Sequence, residues 1–186
     1  MPSKSLSFPA PERSLNVLPQ EESFEVVDAS GKVIGTAGRS ELHSNPALIH
    51  RVVHVLVFDK TGYLLLQKRS MEKDTAPGKW DTSVGGHVHI GEEIHAAALR
   101  EMQEELGVQG HDITYLYQYL YSNQKESELV STFCCCYDGP ISINTREIDE
   151  VCYWDIRDIE NALGGGIFSG HFEQEMHRYL RYINNR

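Results

Sequence analysis

The sequence is poor in basic residues for its length. Its 186 residues include 17 Lys and Arg against 27 Asp and Glu, which gives a formal net charge of −10 at pH 7. Proteins that bind nucleic acid polymers or membrane surfaces concentrate Lys and Arg on one face, so this balance argues against both partners. A small phosphorylated substrate stays compatible with it, because divalent cations can lie between an acidic site and a phosphate group.

Long apolar segments and a disulfide framework are also absent. No stretch approaches the roughly 20 apolar residues of a membrane-spanning helix, and the start of the chain lacks the apolar run of a signal peptide. Three of the four cysteines are consecutive (Cys134, Cys135 and Cys136), and neighbouring residues of a strand point to opposite faces. We therefore expect reduced cysteines and a cytoplasmic location.

Proline content and apolar patterning divide the chain into two parts. Prolines at positions 2, 9, 11 and 19 lie among Ser and Lys residues and predict a flexible N-terminal segment over residues 1–20. Residues 21–186 are predicted to form a single domain. That domain opens with a predicted β-hairpin, 24–28 and 33–37, which turns at Ser30-Gly31.

The rest of the domain alternates between strand and helix patterns. The nearly continuous apolar run over residues 52–58 predicts a strand that is covered on both faces. Other strands are expected at residues 63–68, 80–84, 113–121 and 126–137. Helices are expected at 92–106 and 156–163, followed by an amphipathic helix that carries Phe172, Met176, Tyr179, Leu180 and Ile183 on one face. This order of elements predicts an α/β sandwich.

The helix predicted at 92–106 carries three glutamates on one face. Glu101, Glu104 and Glu105 are spaced i, i+3 and i+4, which places them within an arc of roughly 100°. Their charges repel each other, and hard divalent cations such as Mg²⁺ or Mn²⁺, which prefer oxygen ligands, would offset this repulsion. Such cations bridge to phosphate oxygens and activate a water molecule for attack at phosphorus. A solvated acidic face is the ordinary alternative for these residues alone.

A glycine pair precedes this helix. Gly85 and Gly86 permit a close backbone approach and unusual φ angles, both of which suit a loop that lies against a phosphate group. We assign substrate binding to Gly85, Gly86, Lys68 and Arg69.

The wider spacing resembles the Nudix box, which is Gly, five residues, Glu, seven residues, and then Arg-Glu-apolar-x-Glu-Glu-x-Gly-apolar. The matching residues span 86–108 and are Gly86, Glu92, Arg100, Glu101, Met102, Glu104, Glu105, Gly107 and Val108. The resemblance implies a loop–helix–loop catalytic element in an α/β/α sandwich with a mixed sheet, extended by the N-terminal hairpin and the C-terminal helix.

The same resemblance implies roles for the box residues. Glu101, Glu104 and Glu105 would bind Mg²⁺ or Mn²⁺, and Glu101 or Glu105 would act as the base or orient the attacking water. Glu92 would support the element or the metal shell, and Arg100 would orient a glutamate through a charged hydrogen bond. Members of the superfamily typically cleave a nucleoside diphosphate linked to another moiety, so a metal-dependent hydrolase of a diphosphate linkage is expected.

Outside the box, residues 24–154 resemble the branch of the superfamily that includes isopentenyl-diphosphate isomerase. The shared features are the early hairpin, two histidines seven residues apart, Pro77-Gly78-Lys79-Trp80, Gly86-His87 and Glu126-x-Glu128. By this resemblance a second metal site would consist of His43, His50, His87, Glu126 and Glu128. The isomerases carry a catalytic Cys where this chain has Gly85, and a glycine side chain can neither deliver nor accept a proton. We therefore favour hydrolysis on an isomerase-like scaffold.

Two other functions are weighed against hydrolysis. An isopentenyl-diphosphate isomerase-like enzyme is disfavoured by Gly85, and a non-catalytic nucleotide-binding module does not need every carboxylate of the box. Each histidine, taken alone, also fits an ordinary core or surface position. Four tyrosines at alternate positions, 115 to 121, are expected on one face of a strand, where they stack on a base, line a subunit interface or pack in the sheet. A homodimer is left open.

Overall fold

The computed structural model describes residues 21–185. Within this range the chain forms β1 (Ser23–Val27), β2 (Val33–Gly38), α1 (Arg39–Leu42), β3 (Ile49–Phe58), β4 (Leu64–Arg69), β5 (Trp80–Asp81), β6 (Val84–His87), α2 (Ile94–Leu106), β7 (Thr114–Ser122), β8 (Ser127–Cys136), β9 (Ile148–Trp154), α3 (Ile156–Ala162) and α4 (Gly170–Asn184). The segment predicted to be flexible, 1–20, lies outside the described residues, and the division into segment and single domain stays a prediction.

Strand β3 is the centre of a mixed sheet. Strand β8 runs parallel to it along Ile49–Phe58 and occupies one of its two edges. The other edge is shared by three antiparallel neighbours in turn: β1 at its start, β6 in its middle and β4 at its end. Strands β2, β7 and β9 extend the sheet beyond β1, β8 and β4, each in antiparallel pairing. Segments from distant parts of the sequence therefore meet along one strand.

Helices cover both faces of β3, as its apolar run predicts. Val53, Val55 and Val57 are fully buried in a core cluster with α2. Leu56, which points the other way, is buried in a second cluster with α3 and α4. The predicted α/β/α sandwich with a mixed sheet, an N-terminal hairpin and a C-terminal helix is confirmed.

Helix α2 packs on the first cluster through its apolar stripe. Ala98, Met102 and Leu106 are buried there, and Ile94 packs against the same cluster. The helix ends because Gly107 adopts φ +70, a left-handed conformation in which its N–H reaches the carbonyl oxygen of Gln103. Packing of this stripe turns the glutamate face of α2 toward β6.

Helix α4 packs on the second cluster and departs in one respect from the prediction. Phe172 and Met176 are fully buried against Leu64 and Leu66 of β4. Ser169 caps the helix by accepting a hydrogen bond from the N–H of Phe172 at 3.0 Å. Ile183 was expected on the buried face, but in the last turn of the helix it is 42% exposed.

The region from Trp80 to His87 differs from its prediction. One strand was expected at 80–84, but the chain pairs with β4 as β5 and then crosses to β3 as β6. Gly85 and Gly86 are consequently part of a strand opposite His54 and Val53, and neither has a positive φ. The expectation that they form a loop with unusual φ angles is wrong.

The tyrosines of β7 do not share one face. A register shift between Tyr115 and Tyr117 interrupts the alternation of side chains. Tyr115 is half exposed and packs edge-on against Phe133 of the α2 cluster. Tyr117 and Tyr119 instead donate hydrogen bonds to Glu175 of α4. The commonest interpretation, packing in the sheet, fits this arrangement.

No helix within residues 21–185 is long and apolar enough to cross a membrane. All four cysteines are free, as expected. The cytoplasmic location stays a prediction.

Replacement of Met102 tests the packing of α2. Met102→Ala is expected to lower the free energy of unfolding by about 2–5 kcal/mol, because a side chain that is 1% exposed leaves a cavity when it is shortened. The neighbouring Gln103 is exposed, so Gln103→Ala should change that free energy by about 0.5 kcal/mol or less. Urea titrations followed by circular dichroism measure both values, and equal losses would contradict this packing.

Candidate active site

A cleft of about 710 Å³ lies above β3 and β6 and contains most of the candidate residues. Its walls come from β1, β6, the glutamate face of α2, the loop that follows Arg69, the start of β8 and the start of α4. The carboxylates of the box line one part of the cleft, and a group of histidines lines another.

Glu105 lies at the floor of the cleft and is 5% exposed. Its Oε2 accepts hydrogen bonds from the N–H of Gly85 and from Nε2 of Gln67, each at 3.1 Å. Burial raises the pKa of this carboxyl well above its ordinary value, and the nearby charge of Glu101 adds to the shift. Both donors bind the same oxygen, so Oε1 is available to another partner.

Arg100 connects the carboxylates of the box. Its Nε and Nη2 donate to the two oxygens of Glu92, each at 2.9 Å, in a bidentate pair. Its Nη1 donates to Glu101 at 2.7 Å and to Glu104 at 3.2 Å. Its Nη2 also donates to the carbonyl oxygen of His87 at 2.8 Å, which fastens α2 to β6. Arg100 thus contacts two of the predicted metal ligands, Glu101 and Glu104, and Glu92 holds the guanidinium group of Arg100 in place.

Glu101 explains why position 86 is a glycine. A Cβ atom built on Gly86 would overlap the carboxylate of Glu101, so a side chain at 86 would displace that carboxylate from the cleft. Burial raises the pKa of Glu101, while the hydrogen bond from Arg100 opposes the shift. Glu104, whose side chain is 54% exposed, completes the group at the rim of the cleft.

The two predicted cationic substrate contacts lie in different places. Arg69 lines the cleft, with Nη1 3.2 Å from Oδ2 of Asp81. Lys68, by contrast, does not line it: its Nζ lies 3.8 Å from Glu150 and 6.0 Å from the centre of the Trp80 ring. The substrate-binding role expected of Lys68 is therefore not supported, because successive side chains of β4 point to opposite faces and that of Lys68 points away from the cleft.

The histidines of the predicted second site meet beside the box. His43, His50 and His87 each present a ring nitrogen, and these nitrogens lie within 4.8 Å of one another. Nε2 of His43 is 3.1 Å from Nε2 of His87, and Nδ1 of His43 contacts Glu126. Oε1 of Glu128 is 3.7 Å from Nε2 of His50. All five residues named from the sequence therefore lie together.

The chemistry of this group favours a cation. His50 is fully buried, yet neither ring nitrogen has a hydrogen-bond partner among the described residues. Burial lowers the pKa of His50 to about 4, and it also lowers the pKa of His87, so both rings are neutral at pH 7. Neutral imidazole nitrogens without hydrogen-bond partners are suited to metal ligation.

Two residues of the cleft, His54 and His171, and the buried Glu175 behind His54 were not identified from the sequence. His54 was left as an ordinary core or surface residue, and His171 and Glu175 were not singled out in the last helix. His171 of α4 stacks on Tyr121 at 4.0 Å between ring centres, and its Nε2 lies 3.2 Å from Glu128. Glu175, one turn further along α4, is fully buried. Their spacing i and i+4 on an apolar helix face was the available signal.

Comparison with known proteins identifies the family. The model of the NUDIX domain matches residues 48–174. An uncharacterised Nudix hydrolase of Yersinia pestis is 34% identical over 132 residues, which cover 71% of this chain and 72% of that protein. The isopentenyl-diphosphate Delta-isomerase of Streptomyces avermitilis is 32% identical over 155 residues, 80% of this chain and 79% of that one.

Solved structures agree on the fold. The crystal structure of a protein from Deinococcus radiodurans superposes with a TM-score of 0.74 at 23% identity, covering 84% of this chain and 98% of that one. The MutT protein from Methanosarcina mazei superposes with a TM-score of 0.61 at 23% identity, covering 74% and 95%.

The chain belongs to the Nudix family, and its relatives include both hydrolases and proteins named as isopentenyl-diphosphate isomerases. Membership of this family supports a hydrolase that acts on pyrophosphate bonds of small phosphorylated substrates. Nudix hydrolases generally use divalent metals such as Mg²⁺.

Arg100→Lys tests how the box carboxylates are held. Lysine keeps the charge but loses the bidentate contact with Glu92, so the free energy of unfolding should fall by about 1.5–3 kcal/mol. Arg157→Lys is the control, because Arg157 forms a similar pair with Asp155 while its side chain is 83% exposed, and its loss of stability should be clearly smaller than that of Arg100→Lys. Guanidinium titrations of the three proteins give the values, and an unchanged Arg100→Lys protein would refute this role.

Proposed function

We propose that the protein is a Mg²⁺- or Mn²⁺-dependent hydrolase of a diphosphate linkage in a nucleoside diphosphate derivative or a related small substrate. The observation that carries this proposal is the meeting of Glu101, Glu104 and Glu105 in one cleft beside Gly85 and Gly86. The cleft is large enough for such a substrate, since pockets for small molecules have volumes of roughly 300–1,000 Å³.

The carboxylates fit divalent cations. Burial and mutual repulsion raise the pKa values of Glu101 and Glu105, and a bound cation would relieve both effects. Because Gly86 has no side chain, the space above it holds the carboxylate of Glu101. Glu101, Glu104 and Oε1 of Glu105 would be the ligands. The cations would neutralise phosphate charge and lower the pKa of the attacking water.

The protein's own side chains supply binding and orientation. Arg100 holds Glu101 and Glu104 in fixed directions, and the bonds from Gln67 and Gly85 fix Glu105. Arg69 lines the cleft wall and would bind a phosphate oxygen of the substrate. Glu92 is proposed to support Arg100 and to take no direct part in the reaction.

We further propose that His43, His50 and His87 bind a second divalent cation with Glu126 and Glu128. The neutral, convergent imidazoles and the unpaired nitrogens of His50 support this site. The set contains three nitrogen and two carboxylate ligands, which suits a transition metal better than Mg²⁺.

An isomerase-like activity is the second candidate, because relatives named as isopentenyl-diphosphate isomerases are similar over most of this chain. Gly85 argues against it, since no side chain there can move a proton. Deuterium exchange from solvent into isopentenyl diphosphate, followed by NMR, would favour this alternative over hydrolysis.

The first experiment is a substrate panel with one box variant. The panel contains nucleoside di- and triphosphates, nucleotide sugars, dinucleotides and isopentenyl diphosphate, each with Mg²⁺ or Mn²⁺, and products are scored by ³¹P NMR. The wild type should hydrolyse at least one class, and Glu104→Gln should lose turnover while melting at the wild-type temperature. Glu93→Gln, an exposed residue next to the same helix, should remain active. Full activity of Glu104→Gln would refute the proposal.

The second experiment measures bound metal. Protein equilibrated with Mn²⁺ or Zn²⁺ and then desalted should retain one equivalent through the histidine site, and His50→Gln should lose it. His95→Gln, which alters an exposed histidine, should retain it. Elemental analysis by mass spectrometry gives the ratio. Equal metal content in His50→Gln and the wild type would rule out the second site.

A further inference from the structure

A buried hydrogen-bond network connects α4 to His54 in the wall of the cleft, a residue that belongs neither to the box nor to the histidine site. Glu175 of α4 is fully buried beneath the sheet. Its carboxylate accepts hydrogen bonds from Nδ1 of His54 and from the hydroxyl groups of Tyr117 and Tyr119, each at 2.7 Å. The hydroxyl group of Thr132 lies 3.1 Å from the same carboxylate. Four donors surround one buried acid.

The donors keep this acid ionised. Burial alone raises the pKa of the Glu175 carboxyl, but the hydrogen bonds from His54, Tyr117 and Tyr119 outweigh that effect, and the pKa lies below its ordinary value. A carboxylate anion can accept hydrogen bonds but has no hydrogen to donate. The nitrogen that contacts it, Nδ1 of His54, therefore carries a hydrogen. In the neutral ring, Nε2 of His54 then carries the lone pair.

That lone pair faces the cleft. His54 lines the cleft, and Nε2 has no hydrogen-bond partner among residues 21–185. A Cβ atom built on Gly85 would stand 3.5 Å from Nε2 of His54 and 3.3 Å from its Cδ2. The imidazole edge thus lies directly against position 85.

Gly85 also connects this imidazole to the box. Its N–H donates to Glu105 at 3.1 Å, so one residue contacts both the box carboxylate and the edge of His54. The box glutamates Glu101 and Glu105 are less suited to accept a proton, because both are proposed cation ligands. Glu101 is in addition bound by Arg100. An imidazole with a free lone pair is the better acceptor.

We propose that His54 is a catalytic residue that accepts the proton of the attacking water through Nε2, and that Glu175 is the positioning residue that fixes its tautomer. This proposal rests on the proposed hydrolase function. Such a carboxylate–imidazole arrangement sets both the direction of the ring and the nitrogen that is free to act.

The step balances in atoms and electrons. The water oxygen forms a bond to one phosphorus, and one of its protons moves to Nε2 of His54. The bridging P–O bond breaks, and its electron pair leaves with the departing phosphate. The proton on Nε2 then passes to solvent, which restores the neutral imidazole for the next turnover.

Other charged and titratable groups face His54 from each neighbouring element. His171 of α4 lies 4.6 Å away between ring centres. Glu105 of α2 accepts a hydrogen bond from Gly85, which lies against the His54 ring. Tyr117 and Tyr119 of β7 donate to Glu175, the carboxylate that also binds His54. Burial lowers the pKa of His171 well below its ordinary value, so His171 is neutral and adds no competing charge.

Kinetics of His54 and Glu175 variants test the proposal. His54→Gln should lower kcat by on the order of 10²–10⁴-fold with KM close to wild type, since a general base contributes that much to turnover. Glu175→Gln should lower kcat by less. Added imidazole should restore part of the turnover of His54→Ala and none of that of Glu104→Gln. His177→Gln and Glu160→Gln, which alter exposed residues of α4 and α3, are the matched controls.

A measurement without turnover tests the tautomer. In ¹⁵N NMR of the histidine side chains, His54 of the wild type should carry its hydrogen on Nδ1, and Glu175→Gln should shift the population toward Nε2–H. A wild-type Nε2–H tautomer would overturn the proposal even if Glu175→Gln does not fold.

The two proposals fail in different ways. Wild-type kcat in His54→Gln, together with an inactive Glu104→Gln, would remove the role of His54 and leave the hydrolase standing. A wild type that hydrolyses nothing in the panel would remove the hydrolase, and with it the proposed step.

Discussion

The cleft depends on the Arg100 guanidinium, which holds together a helix face that its own charges would drive apart. Three glutamates within two turns of α2 repel each other in a partly buried setting. Arg100 neutralises part of that charge, joins Glu101 to Glu104 and ties α2 to the carbonyl group of His87. Because it also binds Glu92, the loop before the helix is fixed by the same side chain.

The second constraint is the shared edge of β3. Three short pairings follow each other along this edge, so β1, β6 and β4 approach one strand from different parts of the sequence. His50 and His54 lie on β3 itself, and His87 ends β6. The sheet thus brings a histidine group next to the box without any close spacing in the sequence.

Much of the fold and one half of the cleft could be predicted from local patterns. The apolar run at 52–58 indicated a strand buried on both faces, and the spacing of Glu101, Glu104 and Glu105 indicated a shared helix face. The histidine group was named only through a resemblance, because its members come from the end cap of α1, from β3 and from β6 and have no common period.

Other features depend on tertiary contacts that no local pattern records. Glu175 meets His54 across 121 residues of sequence, and an acidic residue on an otherwise apolar helix face has no local signature of its partner. Gly86 was selected for unusual φ angles, but its φ angle is ordinary, and its lack of a side chain leaves room for the carboxylate of Glu101. Lys68 lies next to Arg69 on β4, but neighbouring residues of a strand point to opposite faces of the sheet, so the side chain of Lys68 points away from the cleft.

The burial of Glu175 has a consequence for how the chain is made. Residue 54 leaves the ribosome long before residue 175, so the polar groups of His54, Tyr117 and Tyr119 have no anionic partner until the last helix docks. A nascent chain that lacks α4 holds these groups unpaired in an apolar setting, at an energetic cost for each of them. The docking of α4 is therefore the step that pairs these groups, and it adds the last wall of the cleft.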